Sequence, residues 1–176
     1  MSKDTSSTVA AEARTDPIAE AHRQWKRHGW GDAASGMAAV TTIVRVNQIV
    51  TSMVGEALAP LGLTFARFEI LRLLGFSRLG RLPMGKIGER LQVHPASVTS
   101  AVKRLERDGL VAREVDGADS RVVLASITEA GRALLEPATL AINRVFTSLG
   151  DDEALDALTD ALNPIRAAAG DPVRAD

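Results

Sequence analysis

Residues 82–114 read LPMGKIGERLQVHPASVTSAVKRLERDGLVARE, and the fold turns on them. Met84–Leu91 has the pattern of a short helix, followed by Gln92, Val93 and His94. Pro95 suits the first position of a new helix, where its fixed φ is already helical and an N–H would go unused. That second helix runs to about Asp108, and Gly109 closes it. Two helices joined by three or four residues form a helix-turn-helix. His94, directly before Pro95, reads as an N-cap or turn residue.

At about 100° per residue, Val98, Ala101, Val102 and Leu105 fall on one stripe of the second helix and predict its inward face. Opposite them lie Ala96, Ser100, Lys103 and Arg107, flanked by Ser97, Thr99 and Arg104. An ordinary solvated helix carries Glu and Lys outward for propensity and local ion pairs. Here the first two turns carry small and hydroxylated side chains, and the cations come later. Small residues let the backbone approach a base edge, hydroxyls bond phosphates or bases, and Lys and Arg neutralise phosphate. A helix entering the major groove by its N-terminus has this layout.

Behind the helix pair, VAREV (111–115) and RVVLASI (121–127) flank Asp116-Gly117-Ala118-Asp119 and read as a hairpin. Arg121 is placed at the base of the returning strand, with Asp119 two residues earlier on the same face and able to hold its guanidinium. An Arg at a hairpin tip fits the narrow, negative minor groove of A·T-rich DNA; as an exposed ion pair it would contribute little. In front of the pair, Thr64 is a plausible N-cap for FARFEILRLLGF, whose inward stripe is expected to be Phe65, Phe68, Leu71 and Leu74 or Phe76. SRLGRLP (77–83) reads as a loop. An apolar-periodic helix is expected from about Ala34 to Leu58, stopped by Pro60 and Gly62, with a short helix from Pro17 before it. Thr128 opens a long helix to Leu149, bent at Pro137, and Asp151, Asp152 and Glu153 favour the start of a last one carrying Leu155, Leu158, Leu162 and Ile165.

The chain has 176 residues and no cysteine, which excludes a disulfide scaffold, a thiolate nucleophile and a Cys-ligated zinc site. No apolar run is read as approaching a membrane span, and residues 1–33 are too polar for a secretory signal, so a soluble cytoplasmic protein with no membrane partner is expected. The net charge of −1 conceals an asymmetry. Residues 64–107 hold nine Lys or Arg against Glu69, Glu89 and Glu106, whereas residues 108–176 are net acidic. A basic middle in an acidic frame suits a localised polyanion-binding surface, although chance clustering of solvated charge would look the same. The three histidines, His22, His28 and His94, form no catalytic or metal-ligating constellation, and no Gly-rich phosphate loop or Ser–His–Asp pattern appears. Neither an enzyme nor a resident metal or cofactor is expected.

Residues from about 63 to 136 resemble a MarR-type winged helix-turn-helix transcriptional regulator. The segments that carry the likeness are LTFARFEILRLL, LPMGKIGERLQVHPASVTSAVKRLERDGLVARE, DSR and LASITEAGRALL. The resemblance implies a mainly α fold with a small β-hairpin wing, a winged helix-turn-helix flanked by long dimerisation helices. It implies a homodimer formed by the first long helix and the last two, on double-stranded DNA with a pseudo-palindromic operator. Pro95–Arg107 is then the recognition helix and Val111–Ile127 the wing. The family's wing Asp and Arg match Asp119 and Arg121, and its Thr-x-x-Gly matches Thr128 and Gly131. Ser120 departs from the second Arg that many members carry. The expected DNA-binding residues are Pro95 and Ala96 at the start of the helix, Ser97, Thr99, Ser100 and Lys103 at bases or nearby phosphates, Arg104 and Arg107 at phosphate, and Asp119-held Arg121 in the minor groove.

The N-terminal arm resembles actinobacterial members with an added Trp-containing helix and, more loosely, the urate-responsive branch. Trp25 matches such a tryptophan and Trp30 lies near the long helix; they either wall a small-molecule effector site or pin the arm to the dimer. The expected organisation is a tail at 1–15, an arm and first dimerisation helix at 16–62, the DNA-binding domain at 63–127, C-terminal dimerisation helices at 128–170 and a tail at 171–176. A repressor acting by promoter occupancy and modulated by an effector follows. The competing reading is a helical adaptor whose winged helix binds protein, which would leave Lys103, Arg104 and Arg121 without a salt-dependent role.

Overall fold

The structure, a computed structural model, describes residues 15–117 and 119–173. The tail expected at 1–15 lies outside the described residues except for Thr15; so do Ala118 and the end of the C-terminal tail, 174–176. Seven α-helices and three strands follow in the order α1 (Pro17–Arg27), α2 (Gly31–Leu58), a 3₁₀ turn (Ala59–Leu61), α3 (Phe65–Phe76), β1 (Arg81–Pro83), α4 (Met84–Leu91), α5 (Pro95–Arg107), β2 (Val111–Val115), β3 (Val123–Ile127), α6 (Glu129–Ser148) and α7 (Asp152–Ala168). The described chain divides into two compact units after Thr51.

In the N-terminal unit, Asp16 caps α1 by accepting from the Ile18 N–H at 2.9 Å. Trp25 and Trp30 meet edge-on, with ring centroids 5.4 Å apart. Of the apolar stripe read along α2, Val40, Val44 and Ile49 are exposed, Met37 and Met53 are half-buried, and Val54 is buried. The sequence reading of no membrane-length run needs correcting here. Gly31–Leu61 is long and apolar enough to cross a membrane by length and composition, and only 6% of its most apolar window is buried. Arg45, Asn47 and Gln48 interrupt the run of apolar letters, but the averaged hydropathy of the helix survives them.

The second unit is built around α3. Thr64 caps it, accepting from the Arg67 N–H at 3.4 Å, and Phe68, Leu71 and Leu74 point inward as expected. Phe65 and Phe76 do not: both are exposed, and the Arg72 guanidinium lies 4.0 Å over the Phe76 ring. The inward positions include Ile70 and Arg67 instead. The core also takes in Ile87 from α4, Val98, Val102 and Leu105 from α5, Val111 and Ala125 from the hairpin, and Ile142 from α6.

The sheet has three antiparallel strands in the order β1-β3-β2, one more than the hairpin alone. Residues read as loop supply β1, which pairs Arg81 with Ser126 and Pro83 with Leu124. Three residues are too few to show alternation, and a proline is tolerated because β1 is an edge strand. The hairpin itself pairs Val111 with Ile127 through Val115 with Val123. Thr128 then caps α6 and Asp151 caps α7, each accepting from a backbone N–H three residues on.

Candidate nucleic-acid interface

The helix-turn-helix forms because its corner is fixed by three local devices. Gln92 takes a left-handed conformation at φ 53°, ending α4. His94 caps α5, its ring Nδ1 accepting from the Ala96 N–H at 3.2 Å, and Pro95 occupies the first turn. Val98, Val102 and Leu105 then bury against α3 and α4, and Ala101 is half-buried beside them. The opposite face is consequently held outward.

Every residue assigned to that face is exposed: Pro95, Ala96, Ser97, Thr99, Ser100, Lys103, Arg104 and Arg107. The Thr99 hydroxyl donates to the Pro95 carbonyl at 3.0 Å and so keeps only its acceptor lone pairs for a ligand. Arg107 is partly engaged by Asp108, Nε to Oδ1 at 3.2 Å. Among the described residues, Ser97, Ser100, Lys103 and Arg104 make no side-chain hydrogen bond or ion pair within the protein. Two hydroxyls and two cations therefore face solvent with their full bonding capacity.

The wing differs from the expected four-residue turn. Its strands stop at Val115 and resume at Val123, so Asp119 and Arg121 stand in the connecting loop and not on a strand face. Within the loop the Val122 N–H donates to the Asp119 carbonyl at 2.9 Å, and the Asp119 carboxylate binds Arg121. Oδ1 accepts both the Arg121 backbone N–H and its Nε at 3.0 Å, while Oδ2 accepts Nη2 at 3.1 Å. The same side chain thus folds the loop and aims the guanidinium, which is 88% exposed. These bonds hold the Asp119 carboxyl below its ordinary value of 3.8 and raise Arg121 further. A depressed carboxyl pKa means that the pair is complete above 3.8 and is lost only as pH falls through the lowered pKa. In a carboxylate NMR titration, Asp119 is expected to titrate below 3.8, and Arg121→Ala to return it toward that value.

Between α4, α5 and the wing lies a groove of about 630 Å³ whose lining includes Lys86, Thr99, Arg113 and Arg121. Sequence reasoning passed over Arg113, which sits on β2 and forks onto Glu106 of α5 at 2.6 and 2.8 Å, tying the wing to the recognition helix. It also passed over Arg67, whose burial no periodicity signals. Trp30 is 58% exposed and stacks with His28, and neither tryptophan lines the cleft of about 430 Å³ between α1 and the start of α2. Among the described residues, no group of three or more His, Asp or Glu gathers as a metal site would require.

Comparison with known proteins agrees with this geometry. The model of the MarR family matches residues 61–122. The HTH-type transcriptional repressor Mb2911 of Mycobacterium bovis is 33% identical over 96 residues, spanning 54% of this chain and 68% of that protein. The crystal structure of Sco5413, a MarR family transcriptional regulator from Streptomyces coelicolor, superimposes with a TM-score of 0.71 at 45% identity, covering 80% of this chain and 99% of the other. CouR from Rhodococcus jostii RHA1, solved with p-coumaroyl-CoA bound, is 25% identical with a TM-score of 0.62, covering 77% and 93% of the two chains. With a recognition helix and wing in place and likeness extending over nearly the whole of Sco5413, the chain belongs to the MarR family of transcriptional regulators.

Proposed function

We propose that the protein is a repressor that binds a pseudo-palindromic operator as a homodimer. Two recognition helices would enter successive major grooves about 34–36 Å apart, and each Arg121 would enter a flanking minor groove. The observation that carries this reading is the outward face of α5, where Ser97, Ser100, Lys103 and Arg104 are exposed with no partner in the chain. Ser97, Thr99, Ser100 and Lys103 read bases or adjacent phosphates, with Pro95 and Ala96 permitting close approach; Arg104 and Arg107 neutralise phosphate. Catalysis has no part in this, since the family's members are transcriptional regulators, and no metal or cofactor is invoked.

The second copy covers the exposed apolar faces of α2, α6 and α7, and burial there is what removes α2 from consideration as a membrane span. Clustered exposed aliphatic side chains of this kind mark interaction surfaces. Occupancy of a promoter in the bacterial cytoplasm gives repression. A small-molecule effector, for which the ligand held by CouR is the supporting case, would alter the spacing of the two recognition helices. Trp25 and Trp30 are its candidate contacts.

The test is fluorescence anisotropy against operator fragments at several salt concentrations. Saturable, steeply salt-dependent binding to a pseudo-palindrome, with far weaker binding to scrambled DNA, is expected. Equal, weak binding to all sequences would favour the adaptor reading. In the same assay Arg121→Ala is expected to weaken operator binding about tenfold, one contact of roughly 1–3 kcal/mol being lost, and to erase any A·T preference at the flanks. Unchanged affinity and flank preference would remove the wing from the interface.

A further inference from the structure

Among the described residues Arg67 is the one buried charged side chain, and its position is specific. It stands in the first turn of α3, with its side chain 11% exposed. Its Nη1 donates to the carbonyl of Gly62 at 2.9 Å, and its Nη2 forms an ion pair with Asp108. Gly62 ends the 3₁₀ turn that directly follows α2, in a left-handed conformation at φ 65°. Asp108 is the C-cap of the recognition helix α5. A single planar group therefore joins the end of the first long helix to the end of the helix that faces DNA.

The other long helix reaches the same place. The Thr128 hydroxyl, at the N-cap of α6, donates to the Gly109 carbonyl at 2.8 Å, and its backbone N–H donates to Leu110 at 3.1 Å. Residues 108–110 are thus bonded by Arg67, which also holds the turn after α2, and by Thr128 at the start of α6. Elsewhere α5 is held by apolar side chains, which resist separation but not small rotations about the helix axis, and by the Arg113 fork onto Glu106 one residue before its end. Directional bonds at its C-terminal end are what set that rotation.

We propose that Arg67 is a positioning residue for DNA recognition: its bridge from Gly62 to Asp108 sets the angle of α5 and couples it to the end of α2. The cost of burying a guanidinium supports a positional role. Its Nε is buried with no partner, a loss that an apolar side chain at this position would avoid. Asp108, by contrast, keeps Arg107 as a second partner and is not stranded when Arg67 is removed.

The inference rests on the DNA-binding reading, and its test separates the two. Arg67→Met and Asp108→Asn are compared with wild type for operator affinity, scrambled-DNA affinity, melting temperature and hydrogen exchange of the α5 amides. Operator binding is expected to weaken about tenfold in both variants, the range typical of residues that couple elements without touching ligand. Scrambled-DNA binding should stay within about twofold, because no phosphate contact is lost. Exchange is expected to rise at residues 104–110 and stay unchanged in α7. Arg67→Lys, which can reach only one of the two partners, should fall between. Should both affinities fall together in proportion to the folded fraction, the residue is merely structural and the proposal fails. Undiminished operator affinity in folded Arg67→Met and Asp108→Asn would equally overturn it. If wild type itself shows no operator preference, the DNA reading is what fails; unaltered protection of α5 in the variants would then remove the brace as well.

Discussion

Leu158→Glu combined with Ile165→Glu is expected to give a monomer whose operator affinity lies about a thousandfold below that of wild type. α7 buries none of its residues within the protomer, and Leu158 and Ile165 are 51% and 59% exposed. The same imbalance recurs on α2, where Val40, Ile43, Val44, Val46 and Ile49 are all exposed. A helix that keeps such a face in water through its whole length lacks the burial that ordinarily stabilises it. Two glutamates placed in an apolar interface would have to be desolvated without partners, which costs far more than the contacts they replace. Dimer loss then converts bivalent binding into two independent weak events, and the second half-site no longer adds to affinity. Light scattering reads the assembly and anisotropy the affinity. Because an obligate dimer can unfold when separated, the melting temperature is followed against concentration as well. Wild type should rise with concentration and the variant should not. A variant that remains dimeric with unaltered operator affinity would exclude α7 from the interface.

The features the sequence made legible are those fixed by local chemistry. The corner of the helix-turn-helix, with Pro95 after His94, follows from capping, and so do Thr64, Thr128 and Asp151 as helix starts. The inward stripe of α5 follows from a period of 3.6 with four aliphatic or small positions in register. What escaped were features set by partners distant in sequence. β1 exists because β3 offers it a ladder, not because Arg81–Pro83 favours extension. Phe76 stays largely in solvent with the Arg72 guanidinium over its ring, and Arg67 is buried where Asp108, 41 residues on, receives it. In the wing, the composition of the turn was readable and its length was not: the loop is held by the bonds of Asp119 to Arg121 and of the Val122 N–H to the Asp119 carbonyl, which composition does not announce. The α5 face was readable because surface residues there break the ordinary pattern, whereas Arg113 looks like any strand cation until its fork onto Glu106 is seen.

The Thr-x-x-Gly segment carries the second large expectation. Gly131 lies in the first turn of α6, its N–H donating to the Thr128 hydroxyl oxygen at 3.0 Å. A Cβ built there would overlap the Leu110 carbonyl oxygen and come within 2.9 Å of Ile127 Cγ1. The first of these obstacles is backbone, held by the Thr128 N–H, and cannot rotate away as a side-chain tip would. Gly131→Ala gains up to about 1 kcal/mol of helix propensity and loses more through overpacking, which typically costs 1–3 kcal/mol and more against a fixed group. A net loss of about 2 kcal/mol predicts a melting temperature lower by roughly 4–8 °C for a chain of this size. Gly85→Ala supplies the contrast, since a Cβ there meets nothing within 4 Å and its stability should be unchanged or slightly higher. The displaced group is the carbonyl just beyond the recognition helix, so α6 can relieve the overlap only by moving relative to the exit of α5. Operator affinity of the folded variant should therefore fall further than its stability requires, while scrambled-DNA binding is retained. An unaltered melting temperature would mean that α6 does not approach Leu110 this closely, and the junction at residues 108–110 would lose one of its two anchors.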